Sequence, residues 1–242
     1  MKIDSFGKTD LGLRRSNNED AFWLGLDQAT FTVADGMGGA AAGELASQIF
    51  VDTAFQVFSQ NREQGMKKRV ELVKETFLLA NERILNHIKM NPQDEGMGCT
   101  AELITFNDQH FVLGHVGDSR TYLFRRGQLR QLTRDHSLVQ EQLDQGLLTP
   151  EEARRHSLRH VIVRAVGIDE TLAVDLVEGK THPGDLFLLC SDGLTDMIED
   201  LSIQKILLSS LRLDQKVNRL IELANAAGGK DNITVVLCEV LE

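Results

Sequence analysis

The sequence predicts an α+β fold in which at least one antiparallel sheet is layered against pairs of helices. Short runs of β-type residues recur along the chain, and helical patterns fall in pairs between groups of these runs. A doubly wound parallel sheet would instead alternate strand and helix strictly, and this chain does not. No linker, internal repeat or low-complexity segment divides the sequence, so we expect residues 1–242 to form one domain.

The predicted elements follow from residue type and spacing. Strands are predicted at 21–26, 30–34, 101–106, 110–116, 120–124, 186–190 and 233–240. Apolar residues three and four positions apart predict helices over 46–57, 70–88 and 217–224. Thr149 and Glu152 form a capping box with Pro150 at the first helical position, which predicts a short helix. It begins inside a polar, Arg/His-rich segment, residues 140–164, that we interpret as a surface subdomain.

Composition narrows the class of protein. The chain has 242 residues, 42% of them apolar, and a net charge of -10, which argues against nucleic acid or a membrane surface as the main partner. Cys99, Cys190 and Cys238 have no CxxC spacing, so neither a zinc site nor a disulfide framework is indicated and a reducing cytoplasm is expected. The first residues lack the apolar core of a signal peptide, and no apolar stretch of about 18 residues occurs. We therefore expect no export and no membrane insertion.

Carboxylates stand at the ends of the predicted strands. Apolar runs lead into Asp35, Asp118 and Asp192, each of which is followed by Gly or Ser. Asp20 and Asp231 instead precede strands. In an antiparallel sheet, the ends of some strands and the beginnings of their neighbours share one edge. The five aspartates are therefore predicted to converge on one rim.

A cluster of this kind would repel itself unless cations neutralised it. Oxygen ligands without histidine or cysteine select magnesium or manganese over zinc. Gly36 is the natural main-chain carbonyl ligand, because the glycine-rich run beside Asp35 lets the backbone approach a cation closely. Any single Asp-Gly or Asp-Ser pair is better interpreted as a turn. Their joint occurrence beside buried-type strands favours the metal site.

Seven motifs occur in a fixed order along the chain. They are RSNNED (15–20), VADGMGG followed by AGE (33–44), MGCT (97–100), HVGDSR (115–120), LTRDHS (132–137), LCSDGLTD (189–196) and DNIT (231–234). In these motifs the chain resembles the metal-dependent protein phosphatases, the type 2C or PPM family, in their compact bacterial form. The resemblance implies a four-layer αββα sandwich of two antiparallel sheets flanked by helix pairs. It also implies hydrolysis of phosphoserine and phosphothreonine by metal-activated water.

Residue by residue, the resemblance implies two cations, Mn²⁺ or Mg²⁺, and a third, weaker one. The implied metal positions are Asp20, Asp35, Gly36, Asp118, Asp192 and Asp231. Asp35 would bridge the two main cations, Asp20 would act through coordinated water, and Asp118 would belong to the third ion. Arg15 matches the arginine that grips the substrate phosphate, and its planar fork suits a bidentate pair. Arg15 and Asp35 are thus the implied catalytic residues.

Residues 140–164 correspond to the family's flap beside the metal edge, where substrate choice is expected. Many bacterial relatives carry histidine after GMGG, whereas this chain has Ala40, so the proton donor for the leaving oxygen stays open. Coordinated water, His136 and His160 are the alternatives, and Arg159 is a further flap candidate for substrate contact. For each of these side chains an ordinary structural or surface role is the competing interpretation.

The expected partners are phosphorylated proteins and a bacterial Ser/Thr kinase whose products the enzyme reverses, including kinases that regulate type VI secretion. We expect a monomer. Two other classes of function are open. A pseudophosphatase that binds phosphoproteins without turnover would have lost metal ligands, and all five aspartates are present. A nuclease would carry a basic stripe, which this acidic chain lacks, and a small-metabolite phosphatase is the remaining alternative.

Overall fold

Two five-stranded antiparallel sheets lie face to face in the computed structural model, which describes residues 2–38, 42–61 and 65–241. The strands are Ile3–Asp10 (β1), Asp20–Gly25 (β2), Thr30–Met37 (β3), Gly98–Asn107 (β4), His110–Val116 (β5), Arg120–Arg125 (β6), Gln128–Gln131 (β7), Asp175–Lys180 (β8), Leu186–Cys190 (β9) and Ile233–Val240 (β10). One sheet has the order β1-β10-β9-β6-β7 and the other β2-β3-β4-β5-β8. The turn that joins β5 to β6 is one of the places where the chain passes from one sheet to the other.

Helices cover the outer face of each sheet. The α-helices of the described residues are Ala42–Gln60 (α1), Met66–Met90 (α2), Leu138–Asp144 (α3), Pro150–Arg155 (α4), Asp192–Thr195 (α5), Asp200–Leu208 (α6) and Leu213–Ala226 (α7). α1 and α2 pack on the β2-containing sheet, where the Phe50 and Phe77 rings meet at 4.9 Å. α6 and α7 pack on the other sheet through Ile203, Val217 and Leu220. Among the described residues, no helix is both long and apolar enough to cross a bilayer.

The core between the sheets is built from aromatic and β-branched side chains on strands that are apolar on both faces. Every residue of β9 is buried, and β4 is buried up to its last residue. Phe187 of β9 lies between Phe106 and Phe111 of the facing sheet, with ring centroids 5.1 and 5.0 Å away and edge-to-face geometry. Such pairs add about 0.5–1.5 kcal/mol to the burial of apolar area. This layer holds the two sheets in a fixed relation.

The α+β layered prediction is confirmed, and the three predicted helices lie within α1, α2 and α7. All seven predicted strands occur, although β3 continues to Met37 and so contains Asp35 rather than ending before it. Three strands were not predicted, namely β1, β7 and β8. Each is an edge strand of its sheet, and edge strands carry polar, partly exposed residues that weaken the alternating pattern.

The segment between β7 and β8 leaves the sandwich and returns to it. The predicted capping box is confirmed, because Thr149 N donates to the Glu152 carboxylate at 2.8 Å and Glu152 N donates to Thr149 Oγ1 at 3.3 Å. Residues 136–138 and 161–163 then pair as antiparallel backbone: Leu138 N donates to Val161 O, and Val163 N to His136 O, both at 2.9 Å. This pairing closes the base of the 140–164 excursion, which we call the flap segment.

We expect Phe187→Ala to lower the free energy of unfolding by about 3–5 kcal/mol, since it would leave a cavity between Phe106 and Phe111. Phe55→Ala is the matched control, because Phe55 is 53% exposed and Phe187 is fully buried. That control should cost about 1 kcal/mol. Urea denaturation measures both, and equal losses in the two variants would contradict the described core.

Candidate metal centre

Two of the predicted aspartates face each other across neighbouring strands. Asp20 begins β2, and the antiparallel register places it directly opposite Asp35 of β3. Opposite residues in such a pair have Cα atoms about 4.5–5.5 Å apart and side chains on the same face. Strand pairing alone therefore brings two carboxylates together at one end of this sheet.

The second sheet supplies two more carboxylates at the same end of the sandwich. Asp192 is the first residue of α5, just after β9, and Asp231 lies two residues before β10. Ser191 joins the two sheets, because its hydroxyl donates to Asp20 Oδ2 at 2.7 Å and accepts from Thr234 N at 3.0 Å. The centre therefore draws on both sheets, and the expectation of a rim on one sheet was too narrow.

Asp118 occupies the turn between the sheets, and its neighbours anchor it to the strand that carries Asp35. The Thr100 and Ser119 hydroxyl oxygens lie 2.6 Å apart, and Asp35 N donates to Thr100 Oγ1 at 3.2 Å. Gly117 has φ +111, which suits glycine, and an added Cβ there would lie 2.5 Å from Thr100 Cβ. Asp118 thus holds a fixed position beside the other four aspartates.

The glycines that follow Asp35 and Asp192 serve close packing, and neither has a left-handed φ. A Cβ on Gly36 would lie 2.0 Å from the carbonyl oxygen of Gly43 at the start of α1. A Cβ on Gly193 would lie 1.9 Å from the carbonyl oxygen of Asn232. Real Cβ atoms do not tolerate such distances, so any other residue would push these chain segments apart. The Asp-Gly pairs are here signals of close backbone approach rather than of turns.

The electrostatics of the cluster favour bound cations. Burial raises the pKa of Asp20 to about 6 and that of Asp118 to about 7, with the Asp231 and Asp135 carboxylates adding to the respective shifts. Burial, followed by repulsion from the neighbouring carboxylates, raises the pKa of Asp35 and Asp192 well above the usual range. Within the described part of the chain, the buried Oδ1 atoms of Asp20 and Asp192 have no hydrogen-bond partner. Crowded carboxylate oxygens with unused lone pairs fit hard divalent cations such as Mg²⁺ or Mn²⁺.

A cleft of about 660 Å³ opens over this cluster, and its lining includes Arg15, Asp35, Gly36, Asp192 and Asp231. The guanidinium of Arg15 is half exposed at the rim, where Nη2 donates to Asp231 Oδ2 at 2.6 Å. That contact raises the pKa of Arg15, which keeps it cationic. The cleft therefore combines a carboxylate floor with a cationic rim, an arrangement that suits a phosphate held between metal ions and arginine.

The flap segment brings Arg159 and His160 to the same cleft. Both meet Asp196, whose Oδ2 lies 3.7 Å from Arg159 Nε and 3.3 Å from His160 Nδ1. Ligand atoms of His160, Asp192 and Asp196 all lie within 4.8 Å of one another. Sequence reasoning did not assign a role to Asp196. Its spacing of four residues after Asp192, one helical turn, is the signal that could have found it.

The structure does not bring His136 to the cleft. His136 is buried, its Nδ1 accepts from Gly117 N at 3.0 Å, and its Nε2 lies 3.2 Å from Asp175 Oδ2. Its ring lies on that of His115, with centroids 4.5 Å apart, and burial lowers its pKa to about 4. His115 is also buried and paired with Glu102, as expected for a core strand residue. Ala40, the residue on which the question of the proton donor depends, lies outside the described residues.

Comparison with known proteins settles the family. A family model described as protein phosphatase 2C matches residues 14–238. The chain belongs to the protein phosphatase 2C family. This phosphatase 2C chain superposes on the crystal structure of the Mycobacterium tuberculosis serine/threonine phosphatase PstP/Ppp with a TM-score of 0.94. The two are 38% identical, and the match covers 100% of both chains.

Relatives of this phosphatase 2C chain include full-length bacterial proteins. The serine/threonine phosphatase stp of Listeria monocytogenes is 36% identical, and the match covers 96% of this chain and 94% of that protein. PstP of M. tuberculosis is 38% identical over 97% of this chain, which spans only 44% of PstP. The catalytic domain of PstP has been solved with two manganese ions, and it matches with a TM-score of 0.90 at 36% identity, covering 99% of each chain.

Removing one carboxylate should stabilise the metal-free protein. A carboxyl group with a higher pKa in the folded state holds its proton more tightly when folded, so stability falls as the pH rises from about 4 through about 7. In EDTA-treated protein at about pH 8, we expect Asp35→Asn to raise the free energy of unfolding by about 1–3 kcal/mol, and by less at about pH 5.

Urea denaturation at the two pH values measures this effect. Asp27→Asn is the matched control, because Asp27 is exposed and its substitution should change stability little at either pH. If Asp35→Asn lowers the free energy of unfolding, or raises it equally at both pH values, repulsion among the clustered carboxylates does not govern the stability of the metal-free protein.

Proposed function

We propose that this chain is a metal-dependent protein phosphatase that hydrolyses phosphoserine and phosphothreonine. The observation that carries the proposal is the convergence of buried and partly buried carboxylates from two sheets beneath a cleft with Arg15 at its rim. The names of its relatives agree, since PstP and stp are both called serine/threonine phosphatases. A pseudophosphatase is less well supported, because every implied metal position is present.

The proposed metal ligands are Asp20, Asp35, the Gly36 carbonyl, Asp192 and Asp231 for two cations, with Asp118 at a third. Mn²⁺ or Mg²⁺ bound there would neutralise these carboxylates, act as a Lewis acid toward a phosphate and lower the pKa of water. The two manganese ions of the PstP catalytic domain support a pair of ions. The unpartnered oxygens of Asp20 and Asp192 support it from this chain's own structure.

The chain's own side chains would orient the substrate. Arg15 can grip the phosphoryl oxygens through two N–H groups, and its ion pair with Asp231 sets the guanidinium over the cleft. Ser191 fixes the rotamer of Asp20 through the 2.7 Å hydrogen bond. His160 borders the cleft and His136 does not, so His160, held by Asp196, is the histidine that we propose for protonation of the leaving oxygen.

We propose phosphoproteins made by a bacterial Ser/Thr kinase as the substrates, and a monomer as the acting form. The three cysteines are buried and unpaired, which agrees with the reducing cytoplasm as the compartment. PppA of Pseudomonas aeruginosa, described as a key regulatory component of the type VI secretion system, has a TM-score of 0.90 to this chain at 32% identity, covering 99% of this chain and 98% of its own. A role in type VI secretion is therefore one context to test.

The first test is hydrolysis of p-nitrophenyl phosphate and of a phosphothreonine peptide with added Mn²⁺ or Mg²⁺. Asp192→Asn should lower kcat by about three orders of magnitude, equivalent to about 4 kcal/mol of transition-state stabilisation. Asp27→Asn, which changes an exposed carboxylate in the same way, should leave the rate unchanged. A folded wild-type protein without turnover under either metal would refute the enzymatic proposal in favour of a binding module.

Arg15→Ala should raise KM for the phosphopeptide about 10- to 100-fold, because it removes charge-assisted hydrogen bonds worth about 1.5–3 kcal/mol. The effect on kcat should be smaller. Arg14→Ala removes the same charge from an exposed neighbour with no ion pair among the described residues, and its KM should change less. Steady-state kinetics on both variants would refute the phosphate clamp if their KM values rise equally.

A further inference from the structure

His136 and Gly117 hold each other through two hydrogen bonds. His136 N donates to Gly117 O at 2.7 Å, and Gly117 N donates back to the imidazole Nδ1 at 3.0 Å. Gly117 directly precedes Asp118. Residues with a side chain rarely adopt its φ of +111, and an added Cβ would lie 2.5 Å from Thr100 Cβ. The turn that presents Asp118 is therefore fixed on one side by Thr100 and on the other by this histidine.

The fixed main-chain donor Gly117 N selects which nitrogen of a neutral His136 carries the proton. Gly117 N can only donate, so Nδ1 must be the acceptor, and a neutral imidazole then has its proton on Nε2. The Nε2–H group points to Asp175 Oδ2 at 3.2 Å. Arg164 Nη1, which can only donate, lies 3.0 Å from Nε2 and donates to the other oxygen of Asp175 at 2.7 Å. With the proton on Nε2, the guanidinium must direct its N–H groups to Asp175 and not to the ring. The neutral imidazole and the Arg164 guanidinium thus share the Asp175 carboxylate.

The same residue also closes the base of the flap segment. His136 O accepts from Val163 N at 2.9 Å, three residues beyond His160. Arg164, which shares Asp175 with the imidazole, continues the same segment. Behind the ring lies His115, with ring centroids 4.5 Å apart and the ring planes tilted by 36°. His115 Nε2 donates to Arg134 O at 2.9 Å, and its Nδ1 pairs with the Glu102 carboxyl group, so the ring that backs His136 is itself held in place.

We propose that His136 is a positioning residue that ties the Asp118 turn to the base of the flap segment. Its Nδ1 holds the turn, and its Nε2 and main-chain carbonyl hold the flap segment through Asp175 and Val163. The role of Asp118 as a metal position rests on the proposed function, whereas the link between the turn and the flap segment does not. The consequence is that the order of the flap segment and the placement of Asp118 depend on each other.

Two variants separate the ends of this link. In His136→Asn the amide oxygen can take the place of Nδ1 and accept from Gly117 N, but nothing reaches Asp175. In His136→Gln the longer amide can reach Asp175, and the acceptor for Gly117 N is lost. His110→Asn and His110→Gln are the matched controls, because His110 is an exposed histidine on β5.

Hydrogen exchange followed by mass spectrometry measures backbone protection both in the Asp118 turn and in the flap segment. Circular dichroism checks that each variant is folded. We expect His136→Gln to accelerate exchange at residues 117–119 by about tenfold or more and His136→Asn to accelerate it mainly at 160–164. Calorimetric titration with Mn²⁺ should show the weakest class of sites weakened about 10- to 100-fold in His136→Gln and nearly unchanged in His136→Asn. Identical exchange patterns in the two variants would overturn the proposal.

The unmodified protein gives a test that no folding defect can obscure. ¹⁵N spectra of the imidazole of His136 at neutral pH should show the proton on Nε2 and a bare Nδ1. A protonated Nδ1 would overturn the assignment, since it would set two donors against each other at Gly117. Neither the hydrogen-exchange measurement nor the ¹⁵N measurement requires turnover. Their outcomes therefore test the proposal independently of phosphatase activity.

Discussion

The burial of carboxylates where the two sheets meet is the constraint on which the rest of the structure depends. Four layers of apolar packing hold Asp20 and Asp35 of one sheet beside Asp192 and Asp231 of the other, and mutual repulsion makes this arrangement costly without cations. The Ser191 hydroxyl bridges the sheets at this point. The fold thus tolerates local instability at the place where its chemistry would occur.

Close backbone packing complements this electrostatic constraint. Gly36 and Gly193 let the start of α1 and the loop before β10 approach the two Asp-Gly steps within distances that no side chain permits. The carboxylates are consequently held by main chain and strand register instead of by long, flexible side chains. Preorganisation of this kind reduces the reorganisation needed when charge develops during phosphoryl transfer.

Much of the centre could be predicted from sequence because a carboxylate that begins or ends a buried strand must reach the edge of its sheet. That logic found Asp20 and Asp35, and the spacing of apolar residues found the main helices. It failed for the edge strands β1, β7 and β8, whose half-exposed residues obscure the alternation, although the edge strand β2 was found. It did not find Ser191 or Asp196, and it named His136 only as an alternative proton donor whose competing interpretation was structural. Polar residues beside a turn are common, and only three-dimensional contact distinguishes a structural link from a surface group.

The position of β10 inside its sheet has a consequence for how the chain folds during synthesis. This strand pairs with β1 on one side and β9 on the other, and the loop before it carries Asp231. A nascent chain that has formed the β2-containing sheet and both of its helices still has half of the acidic centre missing. Chemical competence therefore requires that β10 has been made and inserted between β1 and β9, two strands that precede it in the sequence.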